Sequence, residues 1–254
     1  MSSDKSQSKT LLIDADLYLY RAAVGAEEEI DWGDDIWSLA TDLKVAKESF
    51  ENQLTMFKEQ LETEETILCF SDTQNFRKEV DPEYKSNRKK TRKPTGYAEL
   101  VIWAKSKYRH IQKPGLEGDD CMGILATGPL YKGNAIIVSD DKDMKSVPGR
   151  LYRPNDDELY DISEQEADAF FLTQCLTGDS ADGYSGIPGI GPKKAEAILG
   201  SRPDWSLVEA AYIKHNLTRD DAIRMARLAR ILRISEWDDE SNTHKLWEPR
   251  RAEK

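Results

Sequence analysis

Three short apolar runs in this chain are each followed at once by acidic residues. The runs are residues 10–13 before Asp14, residues 66–70 before Asp72, and residues 135–138 before the segment Ser139-Asp140-Asp141-Lys142-Asp143. Continuous apolar runs of this length are typical of parallel strands buried on both faces. We predict that the three strands share one sheet, whose carboxyl edge then gathers the acids.

Helical periodicity lies between and after these strands. Apolar residues recur every three or four positions in residues 36–61, which predicts a long amphipathic helix. Residues 26–35, AEEEIDWGDD, predict a solvated acidic loop, and residues 151–153 and 158–161 predict short edge strands. Ser163-Glu164-Gln165-Glu166 forms a capping box that opens a further helix.

Together these elements predict an α/β protein with a mostly parallel central sheet flanked by helices. We assign residues 1–162 to this core and residues 163–254 to a helical part that shares the same site. No Ser/Gly-rich linker separates the two.

The segment 177–194, TGDSADGYSGIPGIGPKK, combines two kinds of chemistry. Asp179 and Asp182 are three residues apart, so on a helical turn they face the same way. Gly189 and Gly191 form a tight turn, after which Pro192 opens a helix. Free N–H groups at such a helix start, together with the charges of Lys193 and Lys194, favour binding of a phosphate.

Composition excludes several classes of protein. The mean hydropathy is −0.68 and 33% of residues are charged. No apolar run of about 18 residues could span a membrane, and the first residues contain no hydrophobic signal core. The three cysteines lack CxxC spacing, which argues against disulfides and zinc and fits a reducing cytoplasm.

The net charge of −11 is unevenly distributed. Residues 26–65 hold 13 acids and 3 bases, whereas residues 74–113 hold 12 bases and 4 acids. A basic segment at about residues 74–95 mixes cations with aromatic rings, as proteins that bind single-stranded nucleic acid do. Its candidate DNA contacts are Arg77, Lys78, Tyr84, Lys85, Arg88, Lys89 and Lys90.

Nine carboxylates from five segments are candidate metal ligands: Asp14, Asp72, Glu117, Asp119, Asp120, Asp141, Asp143, Asp179 and Asp182. If they converge, these hard oxygen ligands select Mg²⁺ or Mn²⁺. Two such ions can assist displacement at phosphorus without a histidine base, and none of the three histidines lies beside an acid cluster.

Each of these signals also has a purely structural interpretation. Asp14 could be a helix N-cap, and the acids from Glu117 to Asp120 could complement a helix dipole. The glycines could shape only a surface turn, and the basic segment could be a mobile charged loop that orders only on binding.

As a set, the motifs resemble the 5′-nuclease (flap endonuclease-like) superfamily, and most closely the 5′→3′ exonucleases of T7-like phages. The motifs are FSDTQNFRKEVDPEYKSNRKKTRKPTGY, LEGDD, SDDKDM, GDSADGYSGIPGIGPKK and MARLARILR, in the superfamily's order across residues 10–235.

The resemblance implies a nuclease with two Mg²⁺ or Mn²⁺ ions that acts on duplex DNA with 5′ ends or flaps, and also on RNA–DNA hybrids. It implies that the basic segment forms a helical arch around the 5′ strand. Lys85 and Arg88 would contact the scissile phosphate, Arg21 would lie behind Asp14, and Tyr84 would stack on bases. The glycine turn would be a helix–three-turn–helix motif at about residues 178–200 that grips duplex DNA and holds K⁺. A monomer in the host cell cytoplasm is expected.

Two other functions remain open at this stage. A non-catalytic DNA-binding protein of the same fold would show gaps in the acid set, and none is seen. A phosphatase of the haloacid dehalogenase type would use Asp14 as its nucleophile, but Tyr18 stands where that family has Thr or Val.

Overall fold

A six-stranded sheet runs through the centre of the computed structural model, which describes residues 9–90 and 92–249, the side chains of residues 89 and 90 excepted. In chain order the strands are β1 (Thr10–Asp14), β2 (Glu27–Asp31), β3 (Trp37–Thr41), β4 (Glu65–Phe70), β5 (His110–Gln112), β6 (Ala135–Val138), β7 (Gly149–Arg153), β8 (Glu158–Ile162), β9 (Gly178–Asp179), β10 (Tyr184–Ser185), β11 (Trp237–Asp238) and β12 (Thr243–His244). The helices are α1 (Ala15–Gly25), α2 (Leu43–Leu61), α3 (Arg77–Val80), α4 (Tyr97–Lys107), α5 (Gly118–Thr127), α6 (Glu164–Thr177), α7 (Pro192–Leu199), α8 (Trp205–Lys214) and α9 (Arg219–Ala229). None of the described helices is long and apolar enough to cross a membrane.

The predicted parallel sheet is confirmed. Its strand order is β5-β4-β1-β6-β7-β8, and every neighbouring pair is parallel except β7 with β8. Ile13 is paired with Leu68 on one side and with Val138 on the other. The carboxyl ends of β1, β4 and β6 therefore lie side by side, so the residues that follow these strands start from one edge.

Both faces of the sheet are covered, which explains why β1 reads as an unbroken apolar run. Leu11 and Ile13 pack with α1, α2 and α4, whereas Leu12 faces α5 and the chain around Leu232. A third core joins α6, α7, α8 and α9. Because the chain returns to the sheet after α9, the helical part is attached to the core at both of its ends.

A close approach of two glycines joins α6 to the glycine turn. A Cβ on Gly178 would stand 2.2 Å from the amide nitrogen of Gly186, and Gly178 has φ +69°. Any larger residue at either position would push β9 and β10 apart. This contact fixes the start of the segment that carries Asp179.

The acidic loop expected at residues 26–35 is instead the first half of a β-hairpin, and α2 begins at Leu43 rather than near residue 36. Asp31 pairs with Trp37, and the turn between them contains Gly33, Asp34 and Asp35, all with positive φ. Asp42 then caps α2, since its carboxylate accepts the N–H groups of the second and third residues of the helix. The start of α2 is therefore set by the local turn and by the Asp42 cap, neither of which is visible in the periodicity of the apolar residues.

A buried ion pair links three distant parts of the chain. Both carboxylate oxygens of Asp120 accept hydrogen bonds from the Arg77 guanidinium, at 2.7 and 2.8 Å. The amide N–H of Leu232 donates to Asp120 at 3.0 Å, and Arg77 also donates to the carbonyls of Leu228 and Arg230. Asp120 and Arg77 are 0% and 2% exposed. The pair thus holds α3 and α5 to the segment that follows α9.

We predict that Asp120→Asn lowers the free energy of unfolding by roughly 3–5 kcal/mol, because it removes the two-bonded counter-ion of the buried Arg77 charge and leaves only Glu117, at 3.3 Å, which Lys85 shares. Urea unfolding measures this change. Glu48→Gln is the matched control, since it breaks the exposed Lys44–Glu48 pair at 3.9 Å and should cost less than about 0.5 kcal/mol. Equal, small losses in the two variants would contradict the assigned role of the buried pair.

Candidate active site

Asp14 is the last residue of β1 and the N-cap of α1. Its structural role as a cap is therefore compatible with its candidate role as a metal ligand. Its Oδ1 accepts the N–H of Leu17 at 3.2 Å, and its Oδ2 accepts the Ser139 hydroxyl at 2.7 Å. The Ser139 Oγ in turn accepts the amide N–H of Asp141 at 3.1 Å. Ser139 is fully buried and thereby ties the acids at the ends of β1 and β6 into one arrangement.

The second part of the site comes from the helical part of the chain. Asp179 is 5% exposed, and its Oδ1 accepts the N–H groups of Ala181 and Asp182 at 2.7 and 3.3 Å. Its Oδ2 lies 2.7 Å from the Nζ of Lys142, which belongs to the acid run after β6. A lysine cation therefore bridges the two halves of the acid cluster.

The third part is contributed by α5 and the basic segment. Glu117 pairs with the Lys85 ammonium and accepts the Tyr84 hydroxyl at 3.0 Å. The Tyr84 hydroxyl also lies 2.9 Å from an oxygen of Asp182, and Lys85 Nζ lies 3.6 Å from the same carboxylate. Arg88 pairs with the other oxygen of Asp182.

The electrostatics divide the carboxylates into two groups. Burial, together with the charges of neighbouring acids, raises the pKa of Asp14 to about 6 and that of Asp143 to about 7. Burial, with the charges of Asp14 and Asp141, also holds the pKa of Asp119 well above its usual range. Burial by itself would raise the pKa of Glu117, but the positive charges of Lys85 and Arg77 lower it to about 2. The first group lacks a sufficient counter-ion, whereas Glu117 has one.

Seven of the nine predicted carboxylates belong to this cluster: Asp14, Glu117, Asp119, Asp141, Asp143, Asp179 and Asp182. The other two, Asp120 and Asp72, lie outside the cluster, and their predicted role as metal ligands is corrected. Asp120 has both oxygens occupied by Arg77 and backbone amides in the core. Asp72 turns toward β5, where it accepts from the amide of Gly115 at 2.8 Å and from the side chain of Gln112 at 3.2 Å. Both acids serve the fold.

Some residues of the basic segment also have roles that differ from those predicted. Lys85 and Arg88 reach the cluster, and the main-chain N–H of Lys85 donates to the carbonyl of Asp182 at 2.8 Å. Arg77 and Tyr84 are only 2% and 3% exposed, so the roles predicted for them, a DNA contact and a stacking platform, are corrected to structural ones. Lys78 is exposed.

The long helices of an arch are not part of the described segment. Between residues 74 and 95 it contains α3, of four residues, and a 3₁₀ helix at Ser86–Lys90. Prolines and closely spaced cations limit helix growth here. The predicted contacts by the side chains of Lys89 and Lys90 lie outside the described side chains, and the arch stays a prediction.

The glycine turn has the predicted local form. Gly189 has φ +78°, and Gly191 precedes α7, which opens at Pro192. Lys193 and Lys194 are exposed, and Lys194 Nζ donates to the Gly189 carbonyl at 2.8 Å. The first turn of α7 is therefore open to a ligand, and its binding of DNA stays a prediction.

Sequence reasoning missed four polar residues that shape the site. They are Asp16, Ser139, Asp140 and Lys142. Asp16 accepts the N–H of Ser71 at 2.8 Å and so ties the end of β4 to α1. A signal for Ser139 and Lys142 was present, since both lie within the acid run after β6. Nothing in the local sequence assigns their partners.

The donor set fits a hard divalent cation, although within residues 9–90 and 92–249 no three His, Cys, Asp or Glu side chains are already grouped to hold one. The Oδ1 of Asp143 is buried and has no hydrogen-bond partner among the described residues. Lys142 and Lys85 supply only part of the positive charge that the carboxylates need. An orphaned carboxylate oxygen among acids with raised pKa values is the expected surrounding of a cation.

Comparison with known proteins identifies the family of this chain. Residues 9–166 match the family described as 5′-3′ exonuclease, N-terminal resolvase-like domain. The exodeoxyribonuclease of Enterobacteria phage T3 is 31% identical, with 94% of this chain and 93% of the relative covered. The exonuclease of Escherichia phage T7 is 30% identical over the same shares.

Among solved structures, a T5 protein co-crystallised with metal ions has a TM-score of 0.67. It is 17% identical, and the likeness covers 87% of this chain and 88% of that one. At this identity the likeness concerns the fold. Because the family match spans more than half of the chain and the two phage relatives are covered almost completely, this protein belongs to the 5′-3′ exonuclease family and is a 5′→3′ exonuclease.

Proposed function

We propose that this protein hydrolyses DNA phosphodiesters from 5′ ends and at 5′ flaps, using two divalent cations held by the acid cluster. The observation that carries the proposal is the convergence of seven carboxylates from four segments beside Lys85 and Arg88. The T3 relative is an exodeoxyribonuclease, which supports DNA as the substrate. A role in phage DNA replication, recombination or host DNA breakdown fits such an activity.

The cluster offers two sets of ligands for the cations. We assign Asp14, Asp119 and Asp141 to one cation, because the charges of the first and third raise the pKa of the second. We assign Asp143, Asp179 and Asp182 to the other cation. The charge of Asp141, followed by those of Asp179 and Asp182, raises the pKa of Asp143, so the two sets adjoin. Bound Mg²⁺ or Mn²⁺ lowers the pKa of a coordinated water and stabilises charge at phosphorus.

The residues of the chain would then position the substrate. Lys85 and Arg88, released from Glu117 and Asp182, would hold the phosphate oxygens of the bond to be cut. The open first turn of α7 with Lys193 and Lys194 would bind the duplex backbone further along. A K⁺ ion at this turn and cleavage of RNA in hybrids are parts of the same proposal.

The decisive experiment uses blunt and 5′-flapped duplexes labelled at either the 5′ or the 3′ end, with and without Mg²⁺. We expect magnesium-dependent release of short products from the 5′-labelled strand. Mg²⁺-independent binding without digestion would instead identify a non-catalytic DNA-binding protein.

We predict that Asp141→Asn or Asp179→Asn lowers the cleavage rate by roughly a thousandfold, about 4 kcal/mol, because each removes a cation ligand. DNA binding, measured by fluorescence anisotropy, should persist. Asp72→Asn is the matched control and should cut at nearly the parental rate, since Asp72 lies outside the cluster. Retained turnover in both cluster variants would refute the site.

Lys85→Ala is expected to slow single-turnover cleavage by about 100-fold while changing the Kd for DNA by less than about threefold. The reason is that Lys85 points into the acid cluster rather than across the outer surface. Lys132→Ala removes an exposed lysine at the opposite, amino-terminal edge of the sheet and serves as the control. A proportional loss of binding and rate in Lys85→Ala would assign this residue to affinity alone.

The raised pKa values of Asp14 and Asp143 predict a pH-dependent response to cations. Between about pH 4 and pH 7 these groups hold protons in the folded chain that they have lost in the unfolded chain, so stability falls as pH rises through this window. Because Mg²⁺ competes with those protons, it should raise the Tm more at pH 8 than at pH 5.5. Differential scanning fluorimetry measures both effects, and an identical Mg²⁺ shift at both pH values would argue against binding at these carboxylates.

A further inference from the structure

The acid run after β6 contains a third carboxylate that leaves the cluster. Asp140 is flanked by residues that face the site, yet its Oδ2 pairs with the Arg21 guanidinium. Its Oδ1 accepts the main-chain N–H of Asn155 at 2.7 Å. The Asp140 side chain is 5% exposed, whereas that of Arg21 is 38% exposed. A buried acid thus holds one terminal nitrogen of a guanidinium group whose side chain is still partly exposed to solvent.

Arg21 lies on α1 seven residues after Asp14, which is two helical turns, so both residues lie along one face of this helix. Tyr18 lies between them and is fully buried, and its ring centroid is 5.6 Å from the Arg21 guanidinium carbon. The guanidinium is therefore held by an aromatic ring on one side and by Asp140 on another. Free in solvent, so long a side chain would sample many rotamers.

Asp140 is itself fixed from outside the acid cluster. The guanidinium of Arg153 donates to the main-chain carbonyl of Asp140 at 3.0 Å. The turn that carries Asn155 is tied down through Asp157, which accepts the Tyr152 hydroxyl at 3.0 Å. A continuous set of contacts therefore runs from the β7–β8 turn through Asp140 to Arg21.

We propose that Asp140 is a positioning residue that orients the Arg21 guanidinium toward the phosphate of the bond to be cut. This proposal rests on the proposed function, because Arg21 acts only where a phosphate enters the acid cluster. Both carboxylate oxygens of Asp140 are occupied by Arg21 and Asn155, so we assign it neither to a cation nor to the substrate. Asp140 holds one nitrogen of the Arg21 guanidinium, so that the other nitrogens can face a phosphate oxygen. Because Arg21 is already ordered, less conformational entropy is lost when it binds the phosphate.

A functional double-mutant cycle tests this role. Asp140→Asn removes the charge but keeps an oxygen that can accept the N–H of Asn155, so the turn is retained. We expect it to lower kcat by about tenfold with KM changed by less than about twofold. In an Arg21→Ala background the same substitution should have less than about a twofold effect, because the group it orients is absent.

Asp161→Asn, an exposed acid on β8, is the control and should match the parent in both backgrounds. Circular dichroism melts accompany each variant, and Asp140→Ser provides a second neutral side chain if the asparagine variant unfolds at the assay temperature. Equal losses of kcat with and without Arg21 would overturn the positioning role, since they would show that Asp140 supports the fold alone. Failure of the parent protein to digest 5′-labelled duplex would instead overturn the proposed function.

Discussion

Repulsion among carboxylates gathered at one edge of the sheet is the constraint on which the rest of this structure depends. Parallel strands that end side by side place Asp14 and the acids after β6 together, and α5 and the helical part add more. Such a cluster is unfavourable unless cations neutralise it. Here Lys85, Lys142 and Arg88 provide part of that charge.

The same ion pairs connect separate segments of the chain at the acid cluster. Lys142 pairs with Asp179, and Lys85 and Arg88 lie against Asp182, so the sheet core and the helical part of the chain meet through charge as well as through packing. Asp143 keeps a buried oxygen without a partner among the described residues. The protein's own cations therefore leave the cluster incompletely balanced, which is the surrounding that a hard divalent cation prefers.

Acids that hold the fold together lie next to the acids of the cluster and look the same in the sequence. In the consecutive pair Asp119-Asp120, the first residue belongs to the cluster and the second is buried against Arg77. In the run after β6, Asp140 turns to Arg21 while Asp141 and Asp143 face the cluster. Successive residues at a helix start or in a tight turn point in different directions, so adjacent identical side chains receive different partners.

The sequence by itself determined the parallel sheet, the edge at which the acids lie and the turn before α7, because these follow from local periodicity, caps and glycine conformation. It also determined the chemistry of the donor set, since carboxylates without histidine or thiolate neighbours suit few cations. Only the tertiary structure decided that Arg77 and Tyr84 are buried, that Asp72 and Asp120 serve the fold, and that residues 27–41 form a hairpin. Each of these features depends either on a partner that is distant in the chain or on a turn. Distant partners and turns leave no periodic pattern in the sequence.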